Sequence, residues 1–464
     1  MTPCADPTLG ALVYRRRVSS VTTAEIEQGR PAGDGPTHPV LVLAFSDGGR
    51  GEPERSTVPR EGVLLGRDAP LFSAGLKDPT ISRRHAEMRF HHGRLRLHDL
   101  GSRNGSYLNG ERVTGVHALE PGDVIRLGAT LLVYTRSAEP RGEDREAAPA
   151  LVGESDAIAA VRRSIGLVAG QRLAVLVTGE TGTGKELVAQ AVHARSRRSG
   201  PLVTVNCAGL SKEMLAGELF GHVRGAFTGA VNDRPGLFRS AQRGTLFLDE
   251  LGELPLDLQA QLLRVLEVGR VRPVGGTDEV AVDVAVVGAT NRDLLVEVRE
   301  QRFRADLYGR LLQWHIAVPP LRDRRDDIPW LVPHLLSRCS AGGRLPTCAL
   351  TEALLLHPWP LNVRGLLNVI AIAALASPPG SALDLHPEVK TALDAARTMA
   401  PGAGGSPPSA EKRKGLPDDD VVEKALRESR GSVSIAARTL GASRQQIYRW
   451  LEQRDLTIDR FRAR

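Results

Sequence analysis

Residues 173–192 read LAVLVTGETGTGKELVAQAV. An apolar run at 173–177 leads into Gly179, Glu180, Thr181, Gly182, Thr183, Gly184 and Lys185, and the chain continues as a helical pattern from Glu186. Strand, glycine loop and helix in that order make a GxxxxGK phosphate loop. The glycines let backbone N–H groups turn inward around phosphate oxygens. Lys185 neutralises charge there, and the helix N-terminus adds its positive dipole end. Glu186 stands where Ser or Thr usually follows the lysine. A second buried-strand run, TLFLD, ends in Asp249 and Glu250. Asp249 is placed to hold Mg²⁺ through water, and Glu250 to activate an attacking water. These features call for ATP and Mg²⁺.

Around this segment, from 151 to about 377, strand runs alternate with helical patterns, VDVAVVGAT being another buried strand. That is the α/β pattern of a parallel sheet covered on both faces. Upstream, residues 38–135 are short apolar runs broken by glycine turns: VLVLAF, GVLLG, RLRLHDL, DVIRLG, TLLVY. Close-spaced strands with turn signals predict an all-β sandwich. Residues 1–37 read as a flexible arm, 136–150 as a charged linker, and 378–420, with its APGAGGSPPS stretch, as a second linker. Residues 421–464 are helical in pattern. The expected fold is multidomain.

A chain of 464 residues with 41% hydrophobic and 25% charged residues has enough apolar content for several cores, which excludes a wholly disordered chain. No run reaches 18 apolar residues, so a membrane-spanning helix is not expected. The N-terminus has its basic cluster after the apolar stretch, the reverse of a secretory signal. Cys4, Cys207, Cys339 and Cys348 form no CxxC pair, which speaks against a zinc site or disulfide framework and fits the cytoplasm. The net charge is +7, and residues 421–464 hold ten Lys/Arg against five Asp/Glu. Basic charge concentrated on a small helical unit suits binding to a phosphate backbone.

The segments GETGTGKE, GELFGHVRGAFTGA, GTLFLDE, GATN, FRADLYGRL and WPLNVRGL occur in that order. Over about 151–375 they resemble the AAA+ domain, with its helical lid, of bacterial activators of sigma-54 RNA polymerase. The resemblance implies that Gly225, Ala226, Phe227, Thr228, Gly229 and Ala230 form a loop contacting sigma-54. It also implies that Asn206 restrains Glu250 and that Thr290 and Asn291 sense the γ-phosphate region. Arg304 and Arg310 would reach the neighbouring subunit's nucleotide in a hexameric-type ring assembled from dimers, and Arg364 would act from the lid. The family usually has Gly where Leu361 stands, Glu where Gly365 stands, and Glu at the place of Val223.

In the β-rich region Gly66-Arg67, Ser82-Arg83-Arg84-His85 and GSRNGSYLNG (101–110) fall at strand ends and loops. They resemble the forkhead-associated (FHA) domain. The resemblance implies phosphothreonine-peptide binding, with Arg67 and Ser82 on the phosphate, Arg83 assisting and Asn104 on the peptide backbone; His85 would brace the loops. A threonine-phosphorylated protein and a Ser/Thr kinase would then be partners.

At the C-terminus Ala436, Leu440, Ile447 and Leu451 give i/i+4 apolar contacts on two helices separated by Gly441-Ala442-Ser443. The segment resembles a small all-α Fis-type helix-turn-helix, with Arg444, Gln445, Gln446, Tyr448 and Arg449 outward on the second helix toward DNA. The expected function is a sigma-54-dependent activator that binds enhancer DNA, with the polymerase holoenzyme as partner. A phosphopeptide scaffold with a vestigial ATPase, or an AAA+ remodeller of another client, are the rivals.

Overall fold

Strand β1 (His38–Phe45) sends alternate residues to opposite faces, as period 2 requires. Leu41 enters a core with Ile125, Leu127, Leu132 and Tyr134, between the two sheets of the sandwich. Val40 and Val42 enter a different core, with Val124, Leu131, Val133 and leucines from beyond residue 320. The runs VLVLAF and TLLVY are therefore nearly continuous in apolar residues because both faces are covered.

The computed structural model describes residues 37–47, 53–67, 71–72, 76–138, 148–226, 230–339, 343–398 and 419–429, with 433, 436, 440 and 451. The arm expected at 1–37 lies outside the described residues but for Thr37. The sandwich continues with β2 (Glu54–Thr57), β3 (Val63–Leu65), β4 (Ala86–His91), β5 (Arg94–Asp99), β6 (Ser106–Leu108), β7 (Glu111–Arg112), β8 (Val116–Ala118), β9 (Val124–Leu127) and β10 (Thr130–Ser137). One sheet runs β2-β1-β10-β9-β6-β7, the other β3-β4-β5-β8.

Next come α1 (Asp156–Val168), β11 (Val175–Thr178), α2 (Lys185–Arg195), β12 (Leu202–Asn206), α3 (Lys212–Phe220), α4 (Leu237–Ser240) and β13 (Thr245–Asp249). They are followed by α5 (Leu256–Val268), a ribbon of β14 (Arg270–Val271) and β15 (Val280–Ala281), β16 (Ala285–Thr290), α6 (Leu294–Arg299), α7 (Ala305–Leu311) and β17 (Trp314–Ala317). The sheet is parallel in the order β12-β13-β16-β11-β17. One face packs on α1 and α2 through Ile158, Ile165, Val188 and Val192; the other packs on α3, α5 and α7 through Leu215, Leu258, Leu262 and Leu307.

Helices α8 (Ile328–Arg338), α9 (Cys348–Leu356), α10 (Asn362–Ala376) and α11 (Pro387–Thr398) complete this part around the fully buried Trp359. Helix α11 lies inside the stretch expected to be a linker. Val389 and Leu393 are buried against α10, so packed structure continues to Thr398; the PPGS turn at 378–381 interrupts the lid without ending it.

The sandwich and the lid share one core. Arg126 pairs with Glu352 at 3.0 Å, and Ser137 and Ala138 both donate to Asp156 at 2.6 and 2.7 Å. The chain divides into two compact units at residues 400 and 401. In the second, α12 (Asp419–Glu428) buries Val422, Ala425 and Leu426 with Val433, Ala436 and Leu451. Among the described residues no helix is long and apolar enough to cross a membrane.

Candidate functional site

The phosphate loop leaves β11 at the C-terminal edge of the parallel sheet, where α/β proteins bind ligands. Gly182 has φ 79°, and a Cβ there would lie 2.2 Å from the carbonyl oxygen of Leu361, so only glycine lets the lid seat against the loop. Gly184, at φ 104°, caps α2. Thr183 folds back on the Glu180 carbonyl through Oγ1 at 2.8 Å. Lys185 Nζ donates to the carbonyls of Gly179 and Glu180 at 2.9 and 3.3 Å. Burial lowers its pKa, while Glu250 and Asp249 act to raise it and Arg364 to lower it. The loop lysine, the acid pair and the lid arginine therefore share one site. Glu186 is exposed in the first turn of α2 and accepts from Gln190 at 3.3 Å.

Asp249 ends β13, and Glu250 follows at φ 50°, a left-handed conformation that is uncommon for a glutamate. Beside them the buried Cys207 thiol is pushed up to about 12, by burial first and then by the two carboxylates. Asn291 Nδ2 donates to Thr181 Oγ1 at 3.2 Å, and the Thr290 carbonyl accepts from Gly179 N at 3.3 Å. Asn206 is level with Asp249 on the adjacent strand, but its side chain accepts from Ala208 N at 2.8 Å and makes no bond to Glu250.

Three residues that motif reading passed over hold the loop to the lid. Arg322 makes two bonds to Glu180, at 2.8 and 2.6 Å, and these hold that carboxyl below the usual range. Asn362, fully buried at φ 51°, donates to Glu180 and to the Thr181 carbonyl at 3.2 and 3.0 Å and accepts from Leu321 N at 2.7 Å. Arg324 donates to the Thr183 carbonyl at 3.2 Å. The departure at Leu361 is accommodated: its φ of −99° does not call for glycine. Its side chain lies over Gly365, where a Cβ would be 3.3 Å away, so a larger residue at one position faces a smaller one at the other.

In the sandwich Gly66 brings the Arg67 loop onto the Ser82–Arg83 backbone; a Cβ there would sit 2.0 Å from the Arg83 carbonyl oxygen. Arg67 N donates to Ser82 O at 3.2 Å, and Arg67, Arg83 and Asn104 are exposed around half-buried Ser82. His85 Nδ1 accepts from Ser82 N at 3.1 Å, so the proton sits on Nε2, which faces the Gly105 carbonyl at 3.2 Å. That places it as the brace between the two loops. Asn104 Nδ2 donates to the Thr80 carbonyl at 2.7 Å, and Arg103 N to Ser82 Oγ at 3.2 Å.

Family models match four stretches: a Sigma-54 interaction domain at 151–317, an FHA domain at 63–128, an AAA+ ATPase lid domain at 322–399 and a bacterial regulatory protein of the Fis family at 418–453. The DNA-binding transcriptional regulator NtrC of Azospirillum brasilense is 39% identical over 348 residues, 69% of this chain and 72% of the relative. The chain belongs to the sigma-54-dependent transcriptional regulators. The response regulator protein PilR of Pseudomonas aeruginosa is 38% identical over 338 residues, 71% of this chain and 75% of PilR. The crystal structure of NtrX from Brucella abortus in complex with ATP is 30% identical, covers 66% of this chain and 70% of that one, and has a TM-score of 0.49.

In this regulator the stem of the loop expected to contact sigma-54 is closed by Gly225 N donating to Ala230 O at 2.8 Å; Phe227, Thr228 and Gly229 lie outside the described residues. Val223, the third departure, donates from its N to Val274 O at 3.1 Å and packs by its side chain against Gly275 and Gly276 of a second loop. Arg304 pairs with Asp306 at 2.7 Å, and Arg310 donates to the Leu266 carbonyl at 2.9 Å. The DNA-contact candidates Arg444, Gln445, Gln446, Tyr448 and Arg449 lie outside the described residues; buried Ala436 and Leu451 fit the expected helical pair.

Proposed function

We propose that this activator hydrolyses ATP to open the sigma-54 polymerase complex at sites held by its Fis-type domain, with a phosphothreonine peptide on the FHA domain as input. The observation that carries the reading is the gathering of Lys185, Asp249, Glu250, Asn291 and Arg364 around one glycine loop. The site fits a nucleotide with Mg²⁺. Lys185 rests on the loop's own carbonyls, bonds that phosphate oxygens can replace, and two adjacent carboxylates are the limited donor set with which Mg²⁺ joins substrate phosphates. Asp249 would hold the ion, which supplies charge neutralisation when bound. Glu250 takes the proton of the attacking water. Arg304 and Arg310 serve a neighbouring subunit, which makes turnover depend on ring assembly. In the FHA domain Arg67, Ser82 and Arg83 meet the phosphate and Asn104 the peptide.

The deciding experiment is in vitro transcription with sigma-54 polymerase. Thr228→Ala should hydrolyse ATP and bind DNA at wild-type levels yet form no open complexes. ATP-independent open complexes with the wild type, or normal ones with Thr228→Ala, would refute the reading.

A further inference from the structure

Arg55 belongs to the FHA domain, at the centre of β2 and paired with Val42. Its guanidinium leaves that domain: Nη1 donates to the carbonyl of Glu154, just before the first AAA+ helix. The N–H groups of Glu154 and Ser155 both donate to Asp327 Oδ1, at 2.6 and 2.7 Å, and Ser155 Oγ donates to Oδ2 at 2.6 Å. Asp327 is fully buried and lies 3.9 Å from Nη1 of Arg324, itself buried. Nη2 of Arg324 ends the path on the Thr183 carbonyl, in the phosphate loop. Four consecutive polar contacts thus join an FHA strand to the loop that holds phosphate.

Carboxylates and guanidiniums crowd this path. Asp326 and Asp327 are adjacent and both buried, and Asp156 adds a third carboxylate nearby. Arg324 and Arg55 are the cations that act on this pair, with Arg162 close to Arg324. Burial and its neighbour push the Asp326 carboxyl up to about 7, and Arg55 acts against that rise. Arg324 is divided between two demands, Asp327 on one side and the Thr183 carbonyl on the other, and its Nε has no partner. Removing Arg55 takes away one of the two cations that face this pair, so whatever negative charge the pair carries acts on Arg324 alone and draws it toward the carboxylates and away from Thr183.

We propose that Arg55 of the FHA domain is a positioning residue for the nucleotide site: by balancing the Asp326–Asp327 pair it keeps Arg324 on the Thr183 carbonyl, so that the seating of the FHA domain tunes ATP binding. This rests on the reading of the site as an ATPase. The test uses the full chain, with a fluorescent ATP analogue for affinity and phosphate release for KM and kcat. Arg55→Ala should weaken nucleotide binding and raise KM by about fivefold to tenfold, with kcat at saturation within about twofold. Arg55→Lys should recover part of the loss. Asp326→Asn added to Arg55→Ala should recover most of it, because it removes the carboxyl that would draw Arg324 off Thr183; a merely loosened interface would not be rescued in this way. Wild-type affinity and KM in Arg55→Ala, or a loss that Asp326→Asn fails to relieve, would overturn the proposal. Should Arg55→Ala not fold, the lysine variant and the double variant decide by the same criteria. Nucleotide binding by the wild type without turnover would sink the hydrolysis reading alone, with the affinities still deciding the role of Arg55; no binding at all would sink both.

Discussion

Glu250 bends the chain at φ 50° immediately after a buried strand, and that turn separates it from Asp249, which stays in line with the sheet. On the proposed reading the two acids have different tasks, Asp249 holding Mg²⁺ and Glu250 activating water. Lys185 would do neither; on the same reading its charge serves affinity. Lys185→Ala should therefore weaken nucleotide binding, whereas Glu250→Ala should keep binding and lose turnover by at least about 100-fold, the scale of a general base. Equilibrium binding and steady-state phosphate release separate the two, and turnover within a few-fold of wild type in Glu250→Ala would remove that residue from the chemistry.

At the scale of elements, the loops of the FHA domain hang on His85 and on Asp99. The Asp99 carboxyl is brought down to about 2 by hydrogen bonds from Ser102, Ser106 and the Gly101 and Ser102 N–H groups, which outweigh its burial. Burial lowers the pKa of His85, with the Gly105 carbonyl and the charges of Asp99 and Asp78 opposing. The folded domain thus keeps His85 neutral at a pH where the unfolded chain, titrating near about 6.5, takes up a proton. The unfolded state then binds more protons, so stability falls as pH drops below about 6.5 and levels off only below the folded pKa. Protonating Nδ1 would also cost the bond from Ser82 N. His85→Gln should show a smaller fall in urea midpoint between pH 7.5 and 5.5 than wild type. The other histidines depressed by burial (His193, His315 and His357) are common to both proteins. An equal fall in both would acquit His85.

The same scale shows what a sequence can and cannot tell. The phosphate loop and the acid pair are legible as short runs, and the FHA domain as three short segments, 66–67, 82–85 and 101–110, that fall at strand ends and loops. Asn362, Arg322 and Arg324 are not, since their partners lie more than 140 residues away and no local period marks such pairings. Helix α11 follows a Pro-rich turn, and its two buried residues, Val389 and Leu393, are a faint signal beside that punctuation. The apolar outer face of β10 was visible as TLLVY, but a run buried on both faces does not name the element that covers the second one.

For the whole molecule, the shared core makes the FHA domain part of the ATPase rather than a bead on a string. Fragment 148–398 alone would expose the lid side of that core, including Val332, Leu336 and Leu355, which lie beside Ala44 and Phe45. It should bind a dye such as ANS and melt below fragment 37–398. Equal melting points and no dye binding would show that the contact contributes little. A different consequence concerns synthesis on the ribosome. The strand face of Val40, Val42, Leu131 and Val133 is made early, whereas its cover begins with Leu321 and extends to Leu393. Roughly 190 residues separate Val133 from Leu321, which at about 5–20 residues per second leaves that face bare for about 10–40 s while the polypeptide is still growing. During that interval the nascent sandwich is a sticky surface in need of an escort, and slow stretches of message between those two points would lengthen the risk.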